Sequence, residues 1–145
     1  MINRISTKFI NIYESKLNNA EIACINPKYA FEYARYNCLD KFELGEAIIA
    51  TSAFYSSMYA QYVLKSRFEL GEPTIATSAE DSYVYAITIL HVWFELGEPE
   101  IANNAYASCM YAIYLIKERF HLGEQIIKTD KFFKNRYEKF FSISL

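Results

Sequence analysis

Residues 68–93 read FELGEPTIATSAEDSYVYAITILHVW, and residues 94–119 read FELGEPEIANNAYASCMYAIYLIKER. The two stretches agree at 13 of 26 positions, where unrelated sequence of this composition agrees at about two. The signature extends outward without insertion. Phe42-Glu-Leu-Gly-Glu46 precedes it by 26 residues, and Phe120-His-Leu-Gly-Glu124 follows it by 26. A second signature, Tyr-Ala, falls at 33–34, 59–60, 85–86 and 111–112 on the same step. Tyr137 stands one further step on, with Glu138 in place of the alanine. Upstream, Asn26 to Ala34 fits the frame. Before that the frame slips by one residue, with Glu21 in the part of Glu46.

One unit reads as two helices. From Ser78 onward, Tyr85, Ala86, Ile89, Leu90 and Trp93 recur at the spacing of one helix face. The residue ahead of that helix is Asn26, Ser52, Ser78, Asn104 or Asp130 in successive units. Each side chain can accept a bond from a free backbone N–H, which predicts an N-cap. A shorter helix lies between Phe68 and Thr77, and two breaks are open. In one, the long helix runs to Leu70 and stops at Gly71, with Pro73 opening the short helix. In the other, the break falls just after Phe68, and Gly71 is a small residue where helices approach closely. No segment alternates like a strand. A helix pair of this size cannot bury its own apolar face and must stack on its neighbours.

The expected fold is therefore all-α, an α-solenoid of about five short helix-pair repeats in one right-handed superhelical stack. At helix spacings of about 8–10 Å it would form a rod of about 40–50 Å. Residues 1–145 form one domain: an N-terminal capping helix within 1–19, repeats over 20–128, and a C-terminal capping helix within 129–145.

Composition agrees. Of 145 residues, 52% are hydrophobic and 17% aromatic, with only 4 Gly and 3 Pro. Average usage would give about 17 Gly and Pro together, so collagen-like and Gly- or Pro-rich disordered classes are excluded. Gly45, Gly71, Gly97 and Gly123 sit one step apart, so the glycines punctuate units. Net charge is −2, which argues against a nucleic-acid binder. The exception is 128–139, where Lys128, Lys131, Lys134, Arg136 and Lys139 face only Asp130 and Glu138. Cys24, Cys38 and Cys109 form no C-x-x-C pair and read as small core residues in a reducing compartment. The first residues lack the apolar core of a signal peptide, and no apolar run reaches membrane-spanning length. A cytoplasmic protein without membrane contact is expected.

Arg67-Phe68, Gly71-Glu72-Pro73 and Ile75-Ala76, following Tyr59-Ala60, resemble a short helical repeat found in many uncharacterised bacteriophage proteins. Those repeats often read Tyr-Ala, then Arg-Phe-Pro-x-Gly-Glu-Pro-x-Ile. Here Glu69 stands where that proline often sits. The resemblance covers residues 20–138. In architecture the chain is also similar to tetratricopeptide and Sel1-like solenoids, with a shorter period. The resemblance implies no catalytic residues. It implies a phage origin, host-cell cytoplasm as the setting, and action on a host protein as inhibitor or adaptor.

The Tyr ladder 33, 59, 85, 111 and 137 reads as inter-helix packing, each hydroxyl bonding a polar neighbour such as the Glu of Gly-Glu. The recurring Glu46, Glu72, Glu98 and Glu124 would repel mildly and call for a partner: a helix N-terminus, a Tyr hydroxyl, Arg67 or Arg119. His91 and His121 occupy different repeat positions and form no ligand set. There is no H-E-x-x-H, G-x-S-x-G or P-loop. No catalytic, metal or cofactor-binding residue is assigned, and no enzyme activity is expected.

Positions that vary between units carry identity. Phe54 and Met58, Val84 and Ile87, and Tyr106, Met110 and Ile113 form a second apolar stripe along the long helices. Either the stripe widens the core face, or it is an exposed groove for a protein partner, and these seven are the candidate partner-binding residues. The expected function is non-enzymatic protein–protein interaction. One alternative is nucleic-acid or nucleotide binding through the basic C-terminus, with Tyr106, Phe132, Phe133 and Tyr137 stacking on bases. Another is self-assembly through the apolar C-terminal end, where Phe132, Phe133, Phe140 and Phe141 lie.

Overall fold

The computed structural model describes residues 20–38 and 40–145. The capping helix expected within 1–19 lies outside the described residues. Every regular element among the described residues is helical. Long helices begin at Pro27, Ala53, Ala79, Ala105 and Lys131. Short helical segments lie between them: Glu43–Ile49, Glu72–Ile75, Glu98–Ile101 and Glu124–Ile127. Each of these short helices packs on the long helix before it, and each long helix after the first packs on the previous long helix.

Sequence dictates each start. Asn26, Ser52, Ser78, Asn104 and Asp130 are all N-caps, in extended backbone. Their side-chain oxygens accept from the amides of Lys28, Tyr55, Asp81, Ala107, and both Phe132 and Phe133. Each cap contributes about 1 kcal/mol. Ser78 and Asp81 make only this half of a capping box. Pro73 and Pro99 open short helices, where a missing N–H costs nothing.

The end of the long helix falls earlier than either sequence reading placed it. Three of these helices widen into a π-helical last turn, Ala60–Leu64, Ala86–Leu90 and Tyr111–Ile116. They then stop at Lys65, His91 and Lys117, each in the left-handed region at φ 52–55°. Gly71 is therefore not the helix terminator. Its φ is −86°, which any residue adopts. The second reading is right about its role: glycine is there for space. A Cβ on Gly97 would stand 2.5 Å from the Phe94 ring and 2.6 Å from Ser82 Oγ. Neither distance is tolerable, so only hydrogen fits where the short helix crosses the long one.

The core is a stack of equivalent layers. Ile49, Ile75, Ile101 and Ile127 are fully buried, as are Tyr59, Tyr85, Tyr111 and Tyr137. Each such isoleucine contributes about 1.5–3 kcal/mol by burial. Ser56, Ser82 and Ser108 are buried too. Their hydroxyls donate to the carbonyls of Ile49, Ile75 and Ile101 at 3.0, 3.0 and 2.7 Å. That bond adds a second donor to carbonyls that already accept from the amides of Ser52, Ser78 and Asn104, and it satisfies the buried hydroxyl itself. Cys109 belongs to this core, and burial pushes its thiol up to about 11. Cys24 and Cys38 do not: both are only half-buried. Both pack against the core. The Cys24 thiol donates to the Leu44 carbonyl. Among the described residues, no helix is long and apolar enough to cross a membrane.

Candidate functional site

The turn between long and short helix is built the same way four times. The Tyr59 hydroxyl accepts from the Phe42 amide at 2.7 Å and donates to Glu46 Oε1 at 3.1 Å. Tyr85 does the same with Phe68 and Glu72, at 2.8 and 2.9 Å. Tyr111 does so with Phe94 and Glu98, both at 2.9 Å. Tyr137 does so with Phe120 and Glu124, at 2.8 and 3.1 Å. One phenol thus satisfies both a buried amide and a carboxylate. The glutamate gains the partner its repetition called for. The Tyr rings also lie edge-on to the next Phe, as in Tyr85 and Phe94, 5.4 Å apart at 65°. Burial pushes Tyr137 up to about 12 and raises Tyr59, Tyr85 and Tyr111 as well.

The turns differ at the residue five before the glutamate: Lys41, Arg67, Trp93 and Arg119. Arg67 grips Glu72 with two bonds, Nε to Oε1 at 2.6 Å and Nη2 to Oε2 at 2.9 Å. Arg119 grips Glu124 identically, at 2.7 and 2.9 Å. The Arg119 guanidinium, joined by bonds from Tyr137 and His121, holds Glu124 below the usual carboxylate range. Lys41 turns instead to Glu43, at 2.5 Å. Trp93 can donate no such fork. Trp93 is 53% exposed, and among the described residues the Glu98 carboxylate keeps only the Tyr111 hydroxyl. Trp93 and Glu98 line one cleft of about 350 Å³ with Ile116, Glu118, Arg119 and Leu122. The signal for this difference lies in the sequence column 41, 67, 93, 119, outside the apolar stripe.

The stripe of seven candidate residues divides. Phe54 and Tyr106 are 52% and 44% exposed. Met58, Val84 and Ile87 are half-buried. Met110 and Ile113 are 5% and 6% exposed and belong to the core. For these two the groove reading is overturned, because the final helix Lys131–Phe141 packs against the helix that carries them. The outward edge of the same helices carries residues the stripe missed. Tyr36, Tyr62, Tyr114 and Phe140 are exposed, at steps of 26 or 52 residues, and Phe132 joins Phe54 and Tyr106 in a parallel row. Arg35 lies over the rings of Tyr36 and Tyr62, and Arg136 over Tyr114, which it also hydrogen-bonds. A second cleft, of about 470 Å³, is lined by Ile113, Tyr114, Arg136, Lys139 and Phe140.

Two of the four residues expected to stack on bases are committed elsewhere. Tyr137 is fully buried with its hydroxyl bonded twice. Phe133 is half-buried against Tyr106, 5.7 Å away. Among the described residues, every buried side-chain nitrogen or oxygen has a hydrogen-bond partner. No family model, curated protein or solved structure matches the chain.

Proposed function

We propose that the chain is an α-solenoid of about five helix pairs working as a non-enzymatic protein–protein interaction module in the cytoplasm. The observation that carries this reading is the exposed aromatic edge. Tyr36, Tyr62, Tyr114 and Phe140, with Phe54, Tyr106 and Phe132, are exposed on four of the five long helices, on either side of the third, which has Glu80 and Thr88 at these positions. Clustered exposed aromatics mark interaction surfaces. The polar groups inside are occupied by the fold's own bonds, which leaves the surface to carry the function. The cations along the edge, Arg35, Arg136 and Lys139, favour a partner segment that is apolar and flanked by acidic side chains. On the phage resemblance, that partner is a host protein which the chain inhibits or adapts.

The test is capture from the native host with the parent chain, with Phe54→Asp/Tyr114→Asp, and with Trp93→Arg, each read by mass spectrometry. The expected result is one protein held by the parent and by Trp93→Arg, and lost from the double variant with unchanged circular dichroism. Recovery of the same proteins by all three would overturn the reading. So would binding of nucleic acid instead, with an affinity that falls steeply with salt.

A further inference from the structure

The open turn at Trp93 points to a ligand, because its sister turns show what belongs there. In two of four turns a guanidinium seals the carboxylate: Arg67 on Glu72 and Arg119 on Glu124. The frame around Glu98 is the same, with the Tyr111 hydroxyl on Oε1 and the Phe94 amide behind it. The two positions that Nε and Nη2 fill in the sister turns are vacated by Trp93. Exposure follows: Glu72 and Glu124 are buried, whereas Glu98 is only half-buried, as is Glu46 in the other turn without a guanidinium. Trp93 distinguishes the Glu98 turn from that one. The Trp93 indole lines the same cleft as Glu98, and an indole face attracts a planar cation. The other charges of the cleft agree. Glu118 adds a second acid, and Arg119 is committed to Glu124. His121 also turns toward Glu124, at 3.5 Å. Exposed Leu122 lies in the cleft wall, and exposed Leu96 lies two residues before Glu98.

We propose that the Trp93–Glu98 cleft binds an arginine side chain of a partner polypeptide. The guanidinium forks onto Glu98 and stacks on Trp93, completing in trans the pair that Arg67 and Arg119 complete in cis. Leu122, in the cleft wall, meets an apolar neighbour of that arginine. The site uses none of the residues of the aromatic edge, so it stands or falls separately from the function proposed above.

Trp93 is the only tryptophan of the chain, so its fluorescence reports the site directly. The probes are the acetylated, amidated tripeptide Leu-Arg-Leu, its citrulline analogue, and guanidinium chloride at matched ionic strength. The expected result is a saturable change with the arginine peptide, at least about tenfold tighter than with citrulline, the scale of one charge-assisted contact. Glu98→Gln should abolish that preference, and Glu72→Gln should leave it intact. Trp93→Arg closes the site from within and should bind no arginine peptide by calorimetry, even if Glu98→Gln fails to fold. Equal binding of the two peptides, or unchanged binding by Glu98→Gln or Trp93→Arg, would overturn the proposal. Guanidinium chloride matching the peptide in affinity would also overturn it, by showing no preference for a polypeptide.

Discussion

The turn at Glu72 and the turn at Glu98 share a tyrosine, a glycine, a phenylalanine and a proline, yet one is sealed and the other open. In the first, Arg67 covers the carboxylate with a bidentate pair. In the second, Trp93 leaves it facing a cleft. The comparison separates what the fold requires from what it merely accepts. The phenol bridging an amide and a carboxylate recurs in all four turns. The guanidinium recurs in two. A chain that folds without the guanidinium at Glu98 is free to use that position for something else.

The largest effect expected breaks what both turns share. An unfolded tyrosine ionises near pH 10, whereas burial holds Tyr137 up to about 12 and raises Tyr59, Tyr85 and Tyr111 too. Below pH 10 both states are protonated and the contribution is fully present. Above it the unfolded chain sheds protons that the folded chain keeps, so stability falls as pH rises. Four groups together lose up to about 5 kcal/mol per pH unit. Urea midpoints followed by circular dichroism at pH 9, 10 and 11 should drop steeply, and a flat profile contradicts the buried ladder.

Next in size are Tyr85→Phe and Tyr111→Phe. Each strands a buried amide, of Phe68 or of Phe94, at a cost of about 2 kcal/mol. Similar losses in the sealed and open turns would show that the amide dominates. A clearly larger loss at Tyr111 would mean that Glu98 depends on its phenol more than Glu72 does. Exchange of the sealing residue sharpens the comparison further. Trp93→Arg should raise the melting temperature by a few degrees, and Arg67→Trp should lower it. Both shifts should shrink in high salt, since the arginines reach the surface. The smallest effect is on the acid side. Glu124 is held low by Arg119, so its contribution is present at neutral pH and fades as pH falls through the carboxylate range. Arg119→Ala should therefore lose less stability between pH 6 and 4 than the parent. An identical acid limb would mean the pair contributes nothing.

Side-chain chemistry that repeats was legible in the sequence. The five N-caps are letters at a fixed step, and each caps its helix. The pairing of tyrosine with glutamate was legible because both letters recur. The amide of Phe68 was not, since every residue but proline has one. The helix end at Lys65, His91 and Lys117 was hidden for a related reason. The left-handed position carries Lys or His, not the glycine that usually marks it. The visible glycine, Gly71, serves a contact between helices instead. The choice between core and groove at Met110 and Ile113 was illegible, because apolar letters on a helix do not say which side the next helix will cover. Trp93 was missed for the opposite reason: it was read within one helix face rather than down its column.

Each tyrosine reaches back 17 residues to an amide and 13 to a carboxylate. Those reaches are shorter than the 26-residue step. Contacts of such short sequence separation favour rapid folding. They also make the chain easy to lengthen or shorten. Excision of residues 68–93 would set Phe94 directly after Arg67, and Tyr59 and Tyr111 would keep the hydrogen-bond partners they have now. Duplication of the same block would add one more phenol bridge without disturbing the others. A molecule joined in this way grows by copying, and each copy is free to vary the single residue that seals its turn.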